Sequence, residues 1–261
     1  MAFELKGSTA VITGAGSATG IGFASATLLA EMGASIYLTG ASERVLDRVE
    51  ELRTLGVTAF GSIADLTDPA QAEAMVHDAV TALGGLDILV NNAGMTSVAA
   101  PQHDVGEAED AADMTVAGWR GSLSRNLDSA FYVTHASLSH LRKSTHGRII
   151  MMSSVTGPVM AIKNDVAYAT SKAGMVGFTK ALAVDEAIRG ITVNAVAPGW
   201  IQTDSQLESE AGHGTKTPIG RSATPQEVAA AVGWLASREA SYITGQVLVI
   251  DGGNSIQEER S

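Results

Sequence analysis

The chain alternates between short apolar runs and longer stretches in which apolar residues recur at helical spacing. The apolar runs, rich in β-branched residues, fall at residues 9–13, 35–39, 58–63, 86–90, 148–152, 191–196 and 247–250. Helical periodicity covers residues 21–32, 43–55, 69–83 and 116–141, a stretch around residue 168 that continues to 190, and residues 225–236. Continuous apolar strands alternating with helices are typical of a parallel sheet covered on both faces. We predict an α/β fold, a doubly wound parallel sheet of about seven strands.

Composition narrows the class of protein. The chain has 261 residues, 45% of them hydrophobic, without a low-complexity linker, and we expect one domain over residues 1–261. A net charge of −11 disfavours nucleic acid and anionic membranes as partners, and the absence of cysteine excludes disulfides and thiolate sites. No His/Asp cluster supports a metal site. Because no leader-like or membrane-length apolar segment is visible, we expect a cytoplasmic protein.

A glycine-rich segment lies between the first predicted strand and the first predicted helix. It reads Gly14-Ala15-Gly16-Ser17-Ala18-Thr19-Gly20-Ile21-Gly22. Glycines let the backbone approach a pyrophosphate, and the helix start offers unpaired N–H groups, so this position predicts dinucleotide binding and a Rossmann-type fold. Asp65 follows the third strand and is assigned to the adenine amino group; the alternative is a cap for the helix near Pro69.

Tyr168 and Lys172 form the most informative pair in the chain. They lie four residues apart on a predicted helix, which places the phenol and the ammonium on one face. An adjacent ammonium favours the phenolate and lowers the pKa of the phenol, which suits acid–base catalysis. Such a pair also occurs by chance on solvated helices, so its meaning depends on the rest of the chain.

Several further motifs follow the predicted strands in order. They are Asn91-Asn92-Ala93-Gly94, Ser153-Ser154, Tyr168-Ala169-Thr170-Ser171-Lys172, Pro198-Gly199 and, near the end, Asp251-Gly252-Gly253. Together with the glycine loop they resemble the short-chain dehydrogenase/reductase family over nearly the whole chain, particularly its 3-oxoacyl-carrier-protein-reductase-like branch. The resemblance implies an oxidoreductase that transfers a hydride between a nicotinamide cofactor and a ketone or secondary alcohol.

The resemblance assigns four catalytic residues. Tyr168 would be the general acid in reduction or the base in oxidation, and Ser154 would hydrogen-bond the same substrate oxygen. Lys172 would bind the nicotinamide ribose and lower the pKa of Tyr168. Asn126 matches the mid-helix asparagine that holds a proton-relay water.

The resemblance also assigns a set of cofactor contacts, shared between the glycine loop and the ends of later strands. They are Gly14, Gly16, Ser17, Gly20, Ile21, Gly22, Asp65, Asn92, Ala93, Gly94, Tyr168, Lys172, Pro198, Gly199, Ile201 and Thr203. Residues 200–222 would form the substrate loop. Within that loop His213 is assigned to solvent rather than to the substrate.

The spacing departs from the family pattern at three places. Five residues separate Gly14 from Gly20 where the family usually has three, and Ser154 lies one residue further from Tyr168 than is common. About ten extra residues fall within 103–113 and carry the acids Asp104, Glu107, Glu109, Asp110 and Asp113. A solvated acidic loop is the simpler interpretation, but its place at the carboxyl edge of the sheet allows a role in the pocket rim.

The end of the second strand bears on the cofactor. NAD-preferring relatives usually carry an acid where this chain has Gly40, and NADP-preferring relatives often carry arginine at the position of Ala41. With no acid at Gly40, hydroxyls at Thr39 and Ser42, and Arg44 nearby, the sequence favours NADP(H) over NAD(H).

Charge also bears on the substrate. An acyl carrier protein is acidic, so an acidic enzyme is expected to prefer a free ketone or alcohol, although Arg142, Lys143 and Arg148 would offer a local basic patch. The alternatives are a 3-oxoacyl-[acyl-carrier-protein] reductase and a non-catalytic dinucleotide-binding sensor. Relatives are commonly tetramers, so we expect a homotetramer.

Overall fold

The computed structural model describes residues 3–94, 109–204, 206 and 208–258. These residues form one seven-stranded sheet in the order β3-β2-β1-β4-β5-β6-β7, with every neighbouring pair parallel. The strands are β1 (Thr9–Thr13), β2 (Ser35–Gly40), β3 (Ala59–Ile63), β4 (Ile88–Asn91), β5 (Arg148–Met152), β6 (Thr192–Pro198) and β7 (Val247–Ile250). The predicted sheet is confirmed.

Helices cover both faces of the sheet. They are α1 (Ile21–Glu31), α2 (Arg44–Thr54), α3 (Pro69–Leu83), α4 (Val116–Leu123), α5 (Ser129–Leu141), α6 (Val166–Glu186), α7 (Glu208–Gly214) and α8 (Pro225–Ala236). Alternate residues of a strand point to opposite faces, so in β1 Ala10 and Ile12 pack against α1, α2 and α8, while Val11 faces α3, α5 and α6. The core therefore consists of two apolar layers divided by the sheet.

Two helical features differ from the sequence prediction. The segment predicted as one helix over 116–141 is interrupted by a π-helical turn at Ser124–Asp128, which separates α4 from α5. Helix α7 was not predicted, because a seven-residue segment with two glycines and two acids carries little helical periodicity. Both features lie near the candidate site.

Membrane-spanning helices and metal-binding clusters are both absent from the described residues. In those parts of the chain no helix is long and apolar enough to span a membrane. The same residues contain no group of His, Asp or Glu side chains arranged to hold a metal ion.

Candidate active site

The candidate site lies at the carboxyl edge of the sheet, where the loops after β1, β4, β5 and β6 meet. Strand β1 pairs with β2 on one side and with β4 on the other. From β1 the chain first adds strands towards one edge of the sheet, as far as β3, and then returns to add β4 to β7 towards the other edge. Open α/β sheets form a crevice at such a switch point. The glycine loop after β1 and residues 92–94 after β4 form its two walls.

The two walls of this crevice are in direct contact where the glycine loop has no side chains. A Cβ on Gly14 would lie 2.7 Å from the Cα of Ala93, and Gly14 has φ of +67°. A Cβ on Gly22 would lie 2.5 Å from Nδ2 of Asn92, whose amide donates to the carbonyls of Thr13 and Gly14 at 2.9 and 3.0 Å. Both glycines are therefore required by the close packing of the two loops.

Thr13 joins the same two loops and was not singled out from the sequence. Its hydroxyl accepts hydrogen bonds from the backbone N–H groups of Asn92 and Ala93 at 3.0 and 2.8 Å. The sequence did contain a signal for this role. Thr13 ends a buried strand directly before the glycine loop, and a buried hydroxyl group needs a hydrogen-bond partner.

The middle of the glycine loop is more open. A Cβ on Gly16 would meet nothing closer than 3.6 Å, whereas one on Gly20 would lie 3.1 Å from the Cβ of Ser17. Helix α1 begins at Ile21, and no side chain in the described parts of the chain caps its first turn. The backbone N–H groups of that turn thus point to where a pyrophosphate would lie, and this fits a dinucleotide cofactor.

Asp65 does not cap α3. Asp68 caps this helix by accepting the N–H of Ala70 at 2.9 Å, and its pKa is lowered first by its hydrogen bond from Gln71. Asp65 is exposed and accepts the backbone N–H and the hydroxyl of Thr67 at 3.0 and 2.7 Å. The capping alternative for Asp65 is wrong, and its adenine role stays a prediction.

Asn126 lies in the π-helical turn and is buried. Its Nδ2 donates to the carbonyl of Ser122 at 3.1 Å. A Cβ on Gly94 would lie 2.8 Å from Oδ1 of Asn126 and 3.3 Å from Nζ of Lys172. The asparagine, the lysine and Gly94 therefore lie close together, and π turns are frequent at functional sites.

Lys172 is a buried ammonium. Its Nζ donates to the carbonyl of Met152 at 2.9 Å and lies 5.6 Å from the centre of the Tyr168 ring. Burial lowers the pKa of Lys172 to about 8. Ser153 fixes the helix against β5, because its hydroxyl donates to the carbonyl of Lys172 at 3.0 Å. Ser153 thus supports Lys172 rather than the substrate.

The pKa of the Tyr168 phenol is shifted in the direction opposite to the one expected from the sequence. Burial raises its pKa and is the largest influence, the hydrogen bond with Ser154 lowers it, and the charges of Asp165 and Glu210 raise it further. The net direction is upward, opposite to the lowering expected from Lys172 alone. Desolvation of the phenolate is the main cause, and the Lys172 ammonium donates to the Met152 carbonyl rather than to the phenol.

Ser154 is oriented by the backbone. Its hydroxyl oxygen accepts the N–H of Thr156 at 3.1 Å, and the same side chain hydrogen-bonds Tyr168. The extra residue between Ser154 and Tyr168 is accommodated in a loop that includes Gly157 with φ of +101°. The Ser154 and Tyr168 hydroxyl groups therefore lie next to each other.

The segment after β6 leads into the predicted substrate loop. Pro198 ends the strand and its carbonyl accepts the N–H of Val155, and Gly199 donates to the carbonyl of Ile250. Ile201 pairs with Ala223 in an isolated bridge. These contacts hold the start of the loop beside β5 and β7.

Two contacts extend further along the substrate loop. Thr203 donates its N–H to the carbonyl of Ile201 at 3.0 Å. The ring of Trp200 stacks on that of His213, with centres 5.1 Å apart. The histidine is exposed but packs on this ring, so its assignment to solvent alone was incomplete.

The acidic insertion is described only from residue 109 onward. Asp104 and Glu107 lie outside the described residues. Asp110 closes a turn by accepting the N–H groups of Ala112 and Asp113 at 2.8 and 3.1 Å. Beside it lies an open hollow of about 230 Å³, lined by Ala111, Met114, Thr115, Val116, Trp119 and Val166. A role in the pocket rim stays a prediction.

Known proteins resemble this chain in sequence over nearly its whole length. Residues 14–255 match the family model described as enoyl-(acyl carrier protein) reductase. The chain is 40% identical to the 3-oxoacyl-[acyl-carrier-protein] reductase of Vibrio cholerae, over 96% of this chain and 98% of that protein. It is 35% identical to the cyclohexanol dehydrogenase of an Acinetobacter species, over 97% of this chain and 96% of that one.

Solved structures give the same result. A dehydrogenase/reductase from Sinorhizobium meliloti superposes with a TM-score of 0.88 at 34% identity, covering 97% of each chain. A short-chain dehydrogenase/reductase variant from Serratia marcescens has a TM-score of 0.86 at 32% identity, covering 96% of this chain and 99% of that one. The chain therefore belongs to the short-chain dehydrogenase/reductase family of nicotinamide-dependent oxidoreductases.

Proposed function

We propose that the protein interconverts a small free ketone and its secondary alcohol with NADP(H), using Tyr168 as the general acid and base. The observation that carries this proposal is the convergence of Asn126, Ser154, Tyr168 and Lys172 beside Gly94 in the crevice next to the glycine loop. A dinucleotide-binding sensor would have no need for this set.

The side chains divide the chemistry of carbonyl reduction between them. Ser154 and Tyr168 would both donate to the substrate oxygen, and the phenol would give up its proton as negative charge develops there. A nicotinamide bound along the crevice would supply the hydride. Lys172 would bind the ribose of that cofactor, and Asn126 would hold a water that returns a proton to the site.

Replacing Tyr168 with phenylalanine tests the assignment. Tyr168→Phe should lower kcat by 100-fold or more while cofactor affinity stays within about twofold, because only the transferable proton is removed. The matched control is Tyr242→Phe, at a fully exposed tyrosine. Full activity in Tyr168→Phe would remove the phenol from the mechanism.

The choice of NADP(H) depends on the end of β2. Gly40 brings no carboxylate there, and its Cβ position lies 3.6 Å from the backbone nitrogen of Gly16. Nε of Arg44 donates to the Ser42 hydroxyl at 3.2 Å, and the Cβ of Arg44 lies 3.8 Å from the Cβ position of Gly16. A cation and a hydroxyl therefore border the loop. Thr39 is fully buried, so its hydroxyl adds nothing to this surface.

Kinetics with both cofactors test this choice. We expect a lower KM for NADPH than for NADH, and Arg44→Ala should raise the KM for NADPH while changing that for NADH little. Arg48→Ala, one turn further along α2, is the control. A strong preference of the unmodified enzyme for NADH would refute the choice of NADP(H).

The preference for a free substrate rests on charge. Arg148 does not contribute to the basic surface patch expected from Arg142, Lys143 and Arg148, because its side chain is buried. This burial also lowers the pKa of Arg148 to about 10. Arg142 is held by the carboxylate of Glu186, with Nε 2.9 Å from Oε2. An acidic carrier protein would find little unpaired positive charge at this place.

A carrier-bound 3-oxoacyl group is the second candidate substrate, because the Vibrio cholerae relative is named as a 3-oxoacyl-[acyl-carrier-protein] reductase. The Acinetobacter relative is named for cyclohexanol, a free alcohol. Comparing kcat/KM for cyclic ketones and for a 3-oxoacyl carrier protein separates the two. Far better turnover of the carrier-bound substrate would overturn the preference for a free ketone.

Assembly and location belong to the same proposal. We propose a homotetramer in the cytoplasm, with contacts through α5, α6, α8 and β7. Exposed apolar side chains on α5 and α6, among them Phe131 and Val184, support an interface on that side of the molecule.

A further inference from the structure

The lengthened glycine loop touches the substrate loop. Thr19, which lies between Gly14 and Gly20 where this chain has two extra residues, accepts the backbone N–H of Asp204 on its Oγ1 at 3.0 Å. The two residues are 185 positions apart along the chain. A side chain of the lengthened glycine loop is thus hydrogen-bonded directly to the backbone of the predicted substrate loop.

Thr19 is held in place by contacts within the glycine loop. A turn places it, with the N–H of Gly20 donating to the carbonyl of Ser17 at 3.2 Å, and its hydroxyl lies 3.5 Å from the Ser17 hydroxyl. The next residues start α1. A ligand that orders this turn would therefore also fix the hydroxyl of Thr19.

The bond reaches the substrate loop where its anchored part ends. Before that point Gln202 donates its N–H to the carbonyl of Ala223 at 2.8 Å, which fixes the loop against the start of α8. Beyond Asp204 the chain continues to α7, which carries Glu210 and His213. The Thr19 contact therefore lies between a fixed segment and the helix whose Glu210 raises the pKa of Tyr168.

We propose that Thr19 is a positioning residue that couples cofactor binding in the glycine loop to ordering of the substrate loop. This inference rests on the proposed function, since it takes the glycine loop as the cofactor cradle. One such hydrogen bond changes a local equilibrium by about two- to tenfold. By linkage, an ordered substrate loop would tighten cofactor binding by the same factor.

Hydrogen exchange measured by mass spectrometry on the peptide that contains Asp204 tests the coupling. In the unmodified protein NADPH should slow exchange of this peptide. In Thr19→Val, which keeps the side-chain shape and removes the acceptor, exchange should be about two- to tenfold faster and the effect of NADPH should largely disappear. Thr19→Ser should restore both. Thr81→Val, at a hydroxyl bonded to its own helix, should behave as the unmodified protein.

Kinetics give a second readout. Thr19→Val should raise the KM for the ketone about two- to tenfold with kcat nearly unchanged, because it shifts the ordering of the loop and leaves the proton donor in place. Equal protection by NADPH in Thr19→Val and the unmodified protein would overturn the coupling while leaving the proposed function intact. Failure of the unmodified protein to bind NADPH or NADH would overturn both.

Discussion

Tyr168 lies in surroundings that keep its proton in place. Burial and the charges of Asp165 and Glu210 raise the pKa of the phenol, and only the Ser154 hydrogen bond acts in the opposite direction among the described influences. At neutral pH the residue is then a proton donor, which is the form that carbonyl reduction requires. Alcohol oxidation requires the phenolate, so its rate should increase as the pH rises.

Glu210 provides a test of this electrostatic arrangement. Because its carboxylate raises the pKa of Tyr168, Glu210→Gln should lower that pKa and move the alkaline rise of the oxidation rate to lower pH. Rate profiles measured between pH 8 and 11 would show it as a displacement of the rising part of the curve. Glu208→Gln on the same helix is the control, and identical profiles for both variants would contradict the assignment.

Lys172 connects the site to stability. Its pKa in the folded protein is about 8, below the value of about 10.4 in an unfolded chain, so the buried ammonium costs stability fully below pH 8. This cost disappears as the pH rises from 8 towards 10.4. Lys172→Met should therefore unfold at higher urea than the unmodified protein at pH 7.

The expected gain combines two terms. Relief of the pKa shift is worth on the order of 3 kcal/mol, and loss of the hydrogen bond to Met152 costs about 1 kcal/mol. We therefore expect the free energy of unfolding to rise by about 2 kcal/mol at pH 7 and not at pH 10.5. A difference that is independent of pH would show that the buried charge is not its cause.

At the level of elements, the local sequence at the start of α8 determines where this helix begins, and α8 supports the glycine loop through α1. Thr224 accepts the N–H of Glu227, and Glu227 accepts the N–H of Thr224, which forms a capping box in front of Pro225. Helix α8 packs on α1, the helix that begins at the glycine loop. The start of α8 therefore contributes to the position of α1.

Thr224→Ala should lower the free energy of unfolding by about 1 kcal/mol, because one N–H of the first turn loses its acceptor. Urea unfolding would measure the change. Thr81→Ala, at an exposed hydroxyl within α3, should have less than half this effect. Equal losses in the two variants would show that the cap is not the stabilising contact.

The sequence predicted most elements because strands and long helices carry a strong periodic signal. It did not predict the π turn around Asn126, since one extra residue per turn hardly disturbs periodicity over 26 positions. Burial of Arg148 and the direction of the Tyr168 pKa shift also could not be predicted, because both depend on how distant elements pack.

For the whole molecule, the exposed apolar side chains on α5 and α6 bear on assembly. Phe131 is 47% exposed and packs edge-on to Phe178, Val184 is 79% exposed, and Ile188, in the short turn Ala187–Arg189 after α6, is 89% exposed. Exposed apolar groups of this size on neighbouring elements are typical of protein interfaces. These residues support the proposed tetramer.

Phe131→Asp should weaken that assembly, because a carboxylate would have to be buried at the interface. Light scattering after size-exclusion chromatography should show a mass below that of a tetramer. Leu55→Asp, at an exposed leucine after α2, should leave the mass unchanged. A tetramer in both variants would place the interface elsewhere.

The stacked pair Trp200 and His213 gives the substrate loop an optical reporter of its own. Indole fluorescence responds to a ring in contact with it, so separation of α7 from Trp200 would change the emission. The other two tryptophans, Trp119 and Trp234, lie on α4 and α8 and would give a background that does not follow the loop. Opening and closing of the loop can thus be followed by light, without an attached dye.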